Sequence, residues 1–156
     1  MHIHILIEVL AMFAGDLLRM QDCACGNLRK TTRSLTQFYD SFLQPAGLRS
    51  TQFSLLVHIS LHCDSSVSEL GIRLLMDQTT VTRNLEILRK RGYVRLGKGE
   101  NDARRKIISI TEEGKEKVTE ALPLWEKAQR HIEEGLGRED LEKFLKALKK
   151  LEKLIE

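Results

Sequence analysis

Between Ser66 and Thr111 four element signals follow one another with no room for a long loop. Ser66-Val67-Ser68-Glu69 has the serine-to-glutamate spacing of a capping box, in which each side chain satisfies an unpaired amide at a helix start. It opens a short helix through Leu70, Leu74 and Leu75. Asp77 starts the next, where Val81, Leu85 and Leu88 recur as one apolar stripe. Gly92 stops that helix after Arg89-Lys90-Arg91, cations suited to a helix C-terminus. Tyr93 to Leu96 and Lys106 to Ile110 alternate as two short antiparallel strands, with Gly97 to Asp102 supplying the loop. Two helices joined by a tight turn and followed by a hairpin make a winged helix-turn-helix.

The same stretch holds the chain's positive charge. Residues 71–111 carry ten Lys/Arg against four Asp/Glu, a surplus of six, within a net charge of +3. Residues 1–70 carry five against six, and residues 112–156 carry ten against twelve. One basic module therefore sits between two nearly neutral arms, the electrostatic footprint of a phosphate-binding surface.

The arms read as helices. Leu28, Leu35 and Phe42 recur every seven residues in an amphipathic helix over 22–44, which Pro45-Ala46-Gly47 ends. A second helix from Ser50 turns Phe53, Leu56, Val57, Ser60 and Leu61 inward. Thr111 caps a long helix that Pro123 should kink or divide and that Gly135 and Gly137 end. Leu141, Phe144, Leu148, Leu151 and Ile155 then follow the spacing of a coiled-coil seam. The fold class is mainly α with a small β-hairpin wing, a winged helix-turn-helix flanked by N- and C-terminal dimerisation helices. Residues 1–48 form an extension and dimerisation helix, 49–111 the DNA-binding module and 112–156 the C-terminal dimerisation helices, all within one intertwined domain. The first twenty residues are apolar but broken by Glu8 and Asp16 and begin without a cationic region, so they fit neither a membrane span nor a secretory signal. They are expected to be a helical extension over apolar surface. Three cysteines, an odd number, point to a reducing cytoplasm rather than a disulfide framework.

Only a helix or a two-stranded ribbon fits the major groove of duplex DNA. Gln78, Thr79, Thr80, Thr82, Arg83 and Asn84 lie on the first turns of the second module helix, opposite its apolar stripe. Arg83 can pair with guanine and Asn84 or Gln78 with adenine, while the threonines suit phosphate or a thymine methyl. Lys98, Arg104, Arg105 and Lys106 decorate the hairpin, within reach of a minor groove or its phosphates.

The ordered pieces L-x-P-x-G-L-x-x-x-Q-F at 43–53, V-S-E-L at 67–70, T-T-V-T-R-x-L-x-x-L-x-K-R-G-Y-V at 79–94, D-x-R with S-I-T-E-E-G at 102–114 and A-L-P-L-W-x-x-A-Q at 121–129 resemble the MarR family of winged-helix transcription regulators, over about residues 22–150. The resemblance implies that Asp102 shapes the wing tip and Arg104 enters the minor groove, with Ala103 where a further basic residue is common. It implies a homodimer on a pseudo-palindromic double-stranded operator, with half-sites roughly 10 base pairs apart. It also implies a repressor released by a small-molecule effector, bound where the arms meet the module near Arg33, Tyr39, Phe53 and His58.

Two other triggers stay open. Relatives that sense organic hydroperoxides carry a reactive cysteine near the position of Cys25, which Tyr39 of a dimer mate could approach, although Ser50 stands where a second tyrosine is expected. Zinc-responsive relatives also exist, and His58 and His62 have the spacing of a metal face, with Cys63, His2, His4 and the Cys23–Cys25 pair as further donors. No compact metal motif, nucleotide loop or nucleophile elbow is present, so no catalytic residue, cofactor or metal site is expected. From another class, a winged helix can serve protein interaction alone, its basic hairpin meeting an acidic partner.

Overall fold

The computed structural model describes residues 20–62, 65–98 and 106–155, so the expected N-terminal extension and the hairpin tip lie outside the described residues. Helices α1 (Ala24–Leu43), α2 (Ser50–Leu61), α3 (Val67–Leu74) and α4 (Gln78–Lys90) precede strands β1 (Val94–Lys98) and β2 (Lys106–Ile110), and α5 (Glu112–Leu136) and α6 (Arg138–Ile155) follow. The result is the mainly α winged helix expected from the sequence. The described residues fall into two compact units, one ending at Phe38 and the other beginning at Tyr39. None of the described helices is long and apolar enough to cross a membrane.

Each boundary has a local cause. A 3-10 turn over Gln44–Ala46, with Pro45 in its first positions, ends α1, and Gly47 closes it at φ 69°. The α3 capping box forms in full: Ser66 Oγ accepts from the Glu69 amide at 3.2 Å, and the Ser66 amide donates to Glu69 Oε2 at 2.7 Å. Leu75 ends α3 in the left-handed region, at φ 49° and ψ 40°, with 81% of its surface exposed. That conformation crowds any Cβ against the next carbonyl. Thr111 caps α5 by accepting from the Gly114 amide at 3.0 Å. The helix then runs as one element through Pro123 to Leu136, so of the expected kink or division the division does not occur. Pro123 only removes the amide that would serve the Thr119 carbonyl, a loss one helix can absorb.

The core gathers Leu43, Leu55, Leu56, Ile59, Leu70, Val81, Leu88 and Ile108, all at most 1% exposed. On α2 the inward face differs from the expected one. Phe53 and Leu56 are buried as expected, but Leu55 and Ile59 join them while Ser60 and Leu61 face out. The stretch Phe53 to Leu61 is apolar on almost every side, so its spacing selects no single face. Buried Gln52 is explained by its side chain, which accepts from the Arg49 amide at 3.2 Å.

The hairpin pairs Val94 with Ile110 and Leu96 with Ile108. It also gains a pairing that alternation did not signal: the Ile108 amide donates to the Ser65 carbonyl at 3.0 Å, anchoring the wing to the residues before α3. The start of α5 is pressed onto the wing base, where the Thr111 amide donates to the Tyr93 carbonyl and its hydroxyl to the Gly92 carbonyl. Gly114 lies in that contact; a Cβ there would overlap the Tyr93 carbonyl oxygen and stand 2.7 Å from Ile110 Cγ1.

Two substitutions check this account. Gly114→Ala should lower stability by about 1–3 kcal/mol, because backbone rather than a movable side chain blocks the methyl. Leu75→Gly should raise it by about 0.5–1 kcal/mol, relief of left-handed strain outweighing the added chain entropy. Thermal or urea melts of the two variants should move in opposite directions.

Candidate nucleic-acid interface and interior cleft

The orientation of α4 is set from below. Val81, Leu85 and Leu88 are buried, while Gln78, Thr79, Thr82 and Arg83 face solvent. Asp77 holds the first turn: Oδ1 accepts from the Thr80 amide at 2.8 Å and Oδ2 from the Thr80 hydroxyl at 2.6 Å. These bonds hold the Asp77 carboxyl below its ordinary pKa, the Thr80 hydroxyl contributing most.

Six polar residues were expected on this face, and their side chains divide into two groups. The Thr82 hydroxyl donates to the Gln78 carbonyl at 2.7 Å and Asn84 Nδ2 to the Thr80 carbonyl at 2.9 Å, while Thr80 is held by the cap. Among the described residues the side chains of Gln78, Thr79 and Arg83 have no such internal partner. At the far end of α4, Arg91 is drawn back into the structure and donates to the Gly47 carbonyl at 2.6 Å. Arg89 is paired with Glu86.

On the hairpin, Lys98 and Lys106 are register partners at its open end. Asp102, Arg104 and Arg105 lie outside the described residues. Sequence reasoning passed over exposed Arg95, opposite Ser109 in β1, although the alternation of Val94, Arg95 and Leu96 carried the signal.

A second feature opens within the larger unit. A cleft of about 390 Å³ is lined by Tyr39, Ser54, Phe53, His58, Leu122 and Trp125, among others. It brings together three of the four expected ligand-pocket residues; the fourth, Arg33, belongs to the N-terminal unit. Phe53 and Trp125 stand 6.5 Å apart, centroid to centroid, and give the cleft an aromatic wall. Tyr39 donates to Gln129 Oε1 at 2.7 Å, and Gln129 Nε2 donates to Glu133 Oε1 at 2.9 Å. Burial, then the Glu133 charge, push the Tyr39 hydroxyl above its ordinary pKa and keep it a donor. His58 Nδ1 is buried and has no hydrogen-bond partner among the described residues. Burial first, then His62 and Arg73, hold His58 below 6.5, favouring the neutral ring.

The other candidate residues are dispersed. Cys23 and Cys25 are exposed free thiols at the start of α1. The rings of His58 and His62 lie 6.1 Å apart, while Cys63, His2 and His4 fall outside the described residues. Among the described residues no three His, Cys, Asp or Glu side chains cluster as a metal site.

This arrangement has known counterparts. The model of the MarR family matches residues 46–105. The M. tuberculosis transcriptional regulator MosR superimposes with a TM-score of 0.75 at 36% identity, covering 86% of this chain and 98% of MosR. MosR solved in complex with DNA gives a TM-score of 0.67 at 40% identity, over 83% of this chain and 98% of that one. The chain belongs to the MarR family.

Similarity extends to two further transcriptional regulators. The organic hydroperoxide resistance transcriptional regulator of Bacillus subtilis (strain 168) is 27% identical over 99 residues, 64% of this chain and 67% of the relative. The regulator SarZ of Staphylococcus epidermidis is 31% identical over 86 residues, 55% of this chain and 58% of the relative. This MarR chain is thus a winged-helix transcriptional regulator, and its relatives are regulators rather than enzymes.

The cleft carries its own test. A His58 whose pKa is lower folded than unfolded leaves stability complete above 6.5 and erodes it as pH falls through the folded value, because the unfolded chain takes up the proton first. Wild type should therefore lose melting temperature relative to His58→Gln between about pH 7 and pH 5.5. Parallel pH profiles would show that His58 titrates normally.

Proposed function

We propose that this regulator is a cytoplasmic homodimer that binds a pseudo-palindromic double-stranded DNA operator sequence-specifically and represses transcription until a small molecule enters the cleft. The observation that carries the reading is the outward polar face of α4, held in register by a buried stripe and followed by a cationic hairpin within the segment that holds the chain's positive surplus. Arg83 pairs with guanine and Gln78 or Asn84 with adenine, while Thr79, Thr80 and Thr82 meet phosphate or thymine methyls. Lys98, Arg104, Arg105 and Lys106 follow the adjacent minor groove and Asp102 shapes their loop. MosR, solved with DNA, lends its support at 40% identity.

Dimerisation fits the state of α6, none of whose residues is buried within the chain. The cleft suits a small aromatic effector that stacks on Phe53 and Trp125 and meets Tyr39 and His58, and it lies between α2 and the helix that carries the wing base. A coupling of about 1–3 kcal/mol between cleft and operator suffices for regulation.

A second reading places the trigger at a thiol. It is favoured by the exposure of Cys25 and by the relative that serves organic hydroperoxide resistance. Titration with an organic hydroperoxide decides it: loss of operator binding in wild type, absent in Cys25→Ser, replaces the ligand-driven trigger.

Selection from a random duplex library tests the main reading and should return paired half-sites about one helical turn apart. Against the recovered operator, Arg83→Ala should cost about 1–3 kcal/mol and relax preference at one base pair. Arg104→Ala should weaken all duplexes evenly and flatten the salt slope by about one. Operator binding like wild type in both variants would refute these contacts.

A further inference from the structure

The recognition helix carries an ion pair that the reading above leaves unused. Arg89 donates from Nε to Glu86 Oε2 at 2.9 Å and from Nη2 to Glu86 Oε1 at 2.8 Å, a two-pronged fork. A guanidinium fits a carboxylate and a phosphate with the same geometry, so the carboxylate occupies the Nε–Nη2 edge that a phosphate would otherwise take. Both side chains are nearly half exposed, at 47% and 44%. Helix spacing brings the two side chains together, and a pair so solvated adds little to folding stability.

Its position is more telling. Thr82, Glu86 and Arg89 stand at successive turns of one face of α4 and line a shallow groove with Leu96 of β1. When α4 occupies a major groove and the hairpin the neighbouring minor groove, the strand between the two passes over this groove. Phosphates cross it there. An open arginine would bind any sequence at that point, because phosphate contacts carry no base information.

We propose that Glu86 is a specificity-determining residue that acts through Arg89, withholding its guanidinium from the DNA backbone and lowering sequence-independent binding. The proposal rests on the DNA-binding reading. It assigns the fork the task of keeping the groove between α4 and β1 electrically neutral where phosphates pass. Discrimination is the ratio of operator to random-duplex affinity, and a free Arg89 would raise the denominator.

The test measures binding to random-sequence duplex and to the selected operator across a salt series. Glu86→Gln cannot hold the charged fork, so Arg89 should turn to phosphate. Random-duplex affinity should rise about eightfold at 0.1 M salt, with the salt slope steeper by about 0.9, the signature of one added phosphate contact. The ratio of operator to random affinity should fall. Glu86→Gln combined with Arg89→Gln should restore the wild-type slope. Glu116→Gln makes the same change in net charge on the exposed surface of α5 and should leave the slope unaltered. A wild-type slope in Glu86→Gln, or an equal steepening in Glu116→Gln, would overturn the proposal. Melts should stay close to wild type in all variants, since Arg89 and Glu116 are exposed and the Glu86 side chain is nearly half exposed. A wild-type protein indifferent to every duplex would instead defeat the DNA-binding reading, a separate failure.

Discussion

The rotation of α4 about its own axis is the constraint on which the surface chemistry depends. Val81 and Leu88 are completely buried and Leu85 nearly so, against a cluster that includes Leu55, Leu70 and Ile108. A shift of one residue would turn this stripe by about 100°. Leucines worth about 1.5–3 kcal/mol each would be carried toward water, and Thr82 or Asn84 pressed toward an apolar core. No surface interaction of α4 is large enough to oppose that. The outward display of Gln78, Thr79 and Arg83 is therefore a consequence of burial on the opposite side.

Both ends of the same helix are tied to the elements around it. Asp77 fixes the entrance through Thr80, and Arg91 fastens the exit to the Gly47 carbonyl. Immediately beyond, the Tyr93 carbonyl accepts from Thr111 and closes over Gly114, which joins the wing base to the first turn of α5. Leu122 and Trp125, two to three turns further along α5, line the cleft. A molecule lodged against them would push on a helix whose N-terminus is tightly packed where it meets the wing. The proposed regulation needs only this contiguity, because close-packed contacts transmit small displacements instead of absorbing them.

Where a residue's role is local, the chain spells it out. Ser66 and Glu69, Asp77, and the cap that Thr111 makes with Gly114 act within four residues of themselves, and their side-chain chemistry admits few other uses. The apolar stripe of α4 was legible for the same reason: its polar remainder leaves one face. On α2 that contrast fails, because Leu55, Val57 and Leu61 are equally apolar and only tertiary packing chooses Leu55 over Leu61. The bridge from Ile108 to Ser65 is a backbone pairing over forty residues of separation, which no local pattern encodes. Leu75 in a left-handed turn contradicts its own propensity, so only the crossing of α3 and α4 could impose it. At the cleft, Tyr39, Phe53 and His58 were anticipated through family likeness, whereas Gln129 and Glu133 matter through a relay visible only in three dimensions.

The last helix shows how an incomplete core argues for a partner. Eighteen residues from Arg138 to Ile155 contain no buried side chain, and Leu154 and Ile155 are more than 70% exposed. Ion pairs such as Arg138–Glu142 and Lys143–Glu139 brace its surface, but exposed pairs of this kind contribute only about 0.3–0.5 kcal/mol each. A helix of this length is marginal in water without an apolar face to bury. Leu141, Leu148 and Leu151 are half covered and Phe144 remains 39% exposed, so the seam is too narrow for a core and too apolar for solvent alone. A second copy of the same helix offers a matching stripe, and a pair of them would set two α4 helices at a fixed separation. On that argument the dimer proposed above is what completes the folding of α6, and spacing on DNA follows from it.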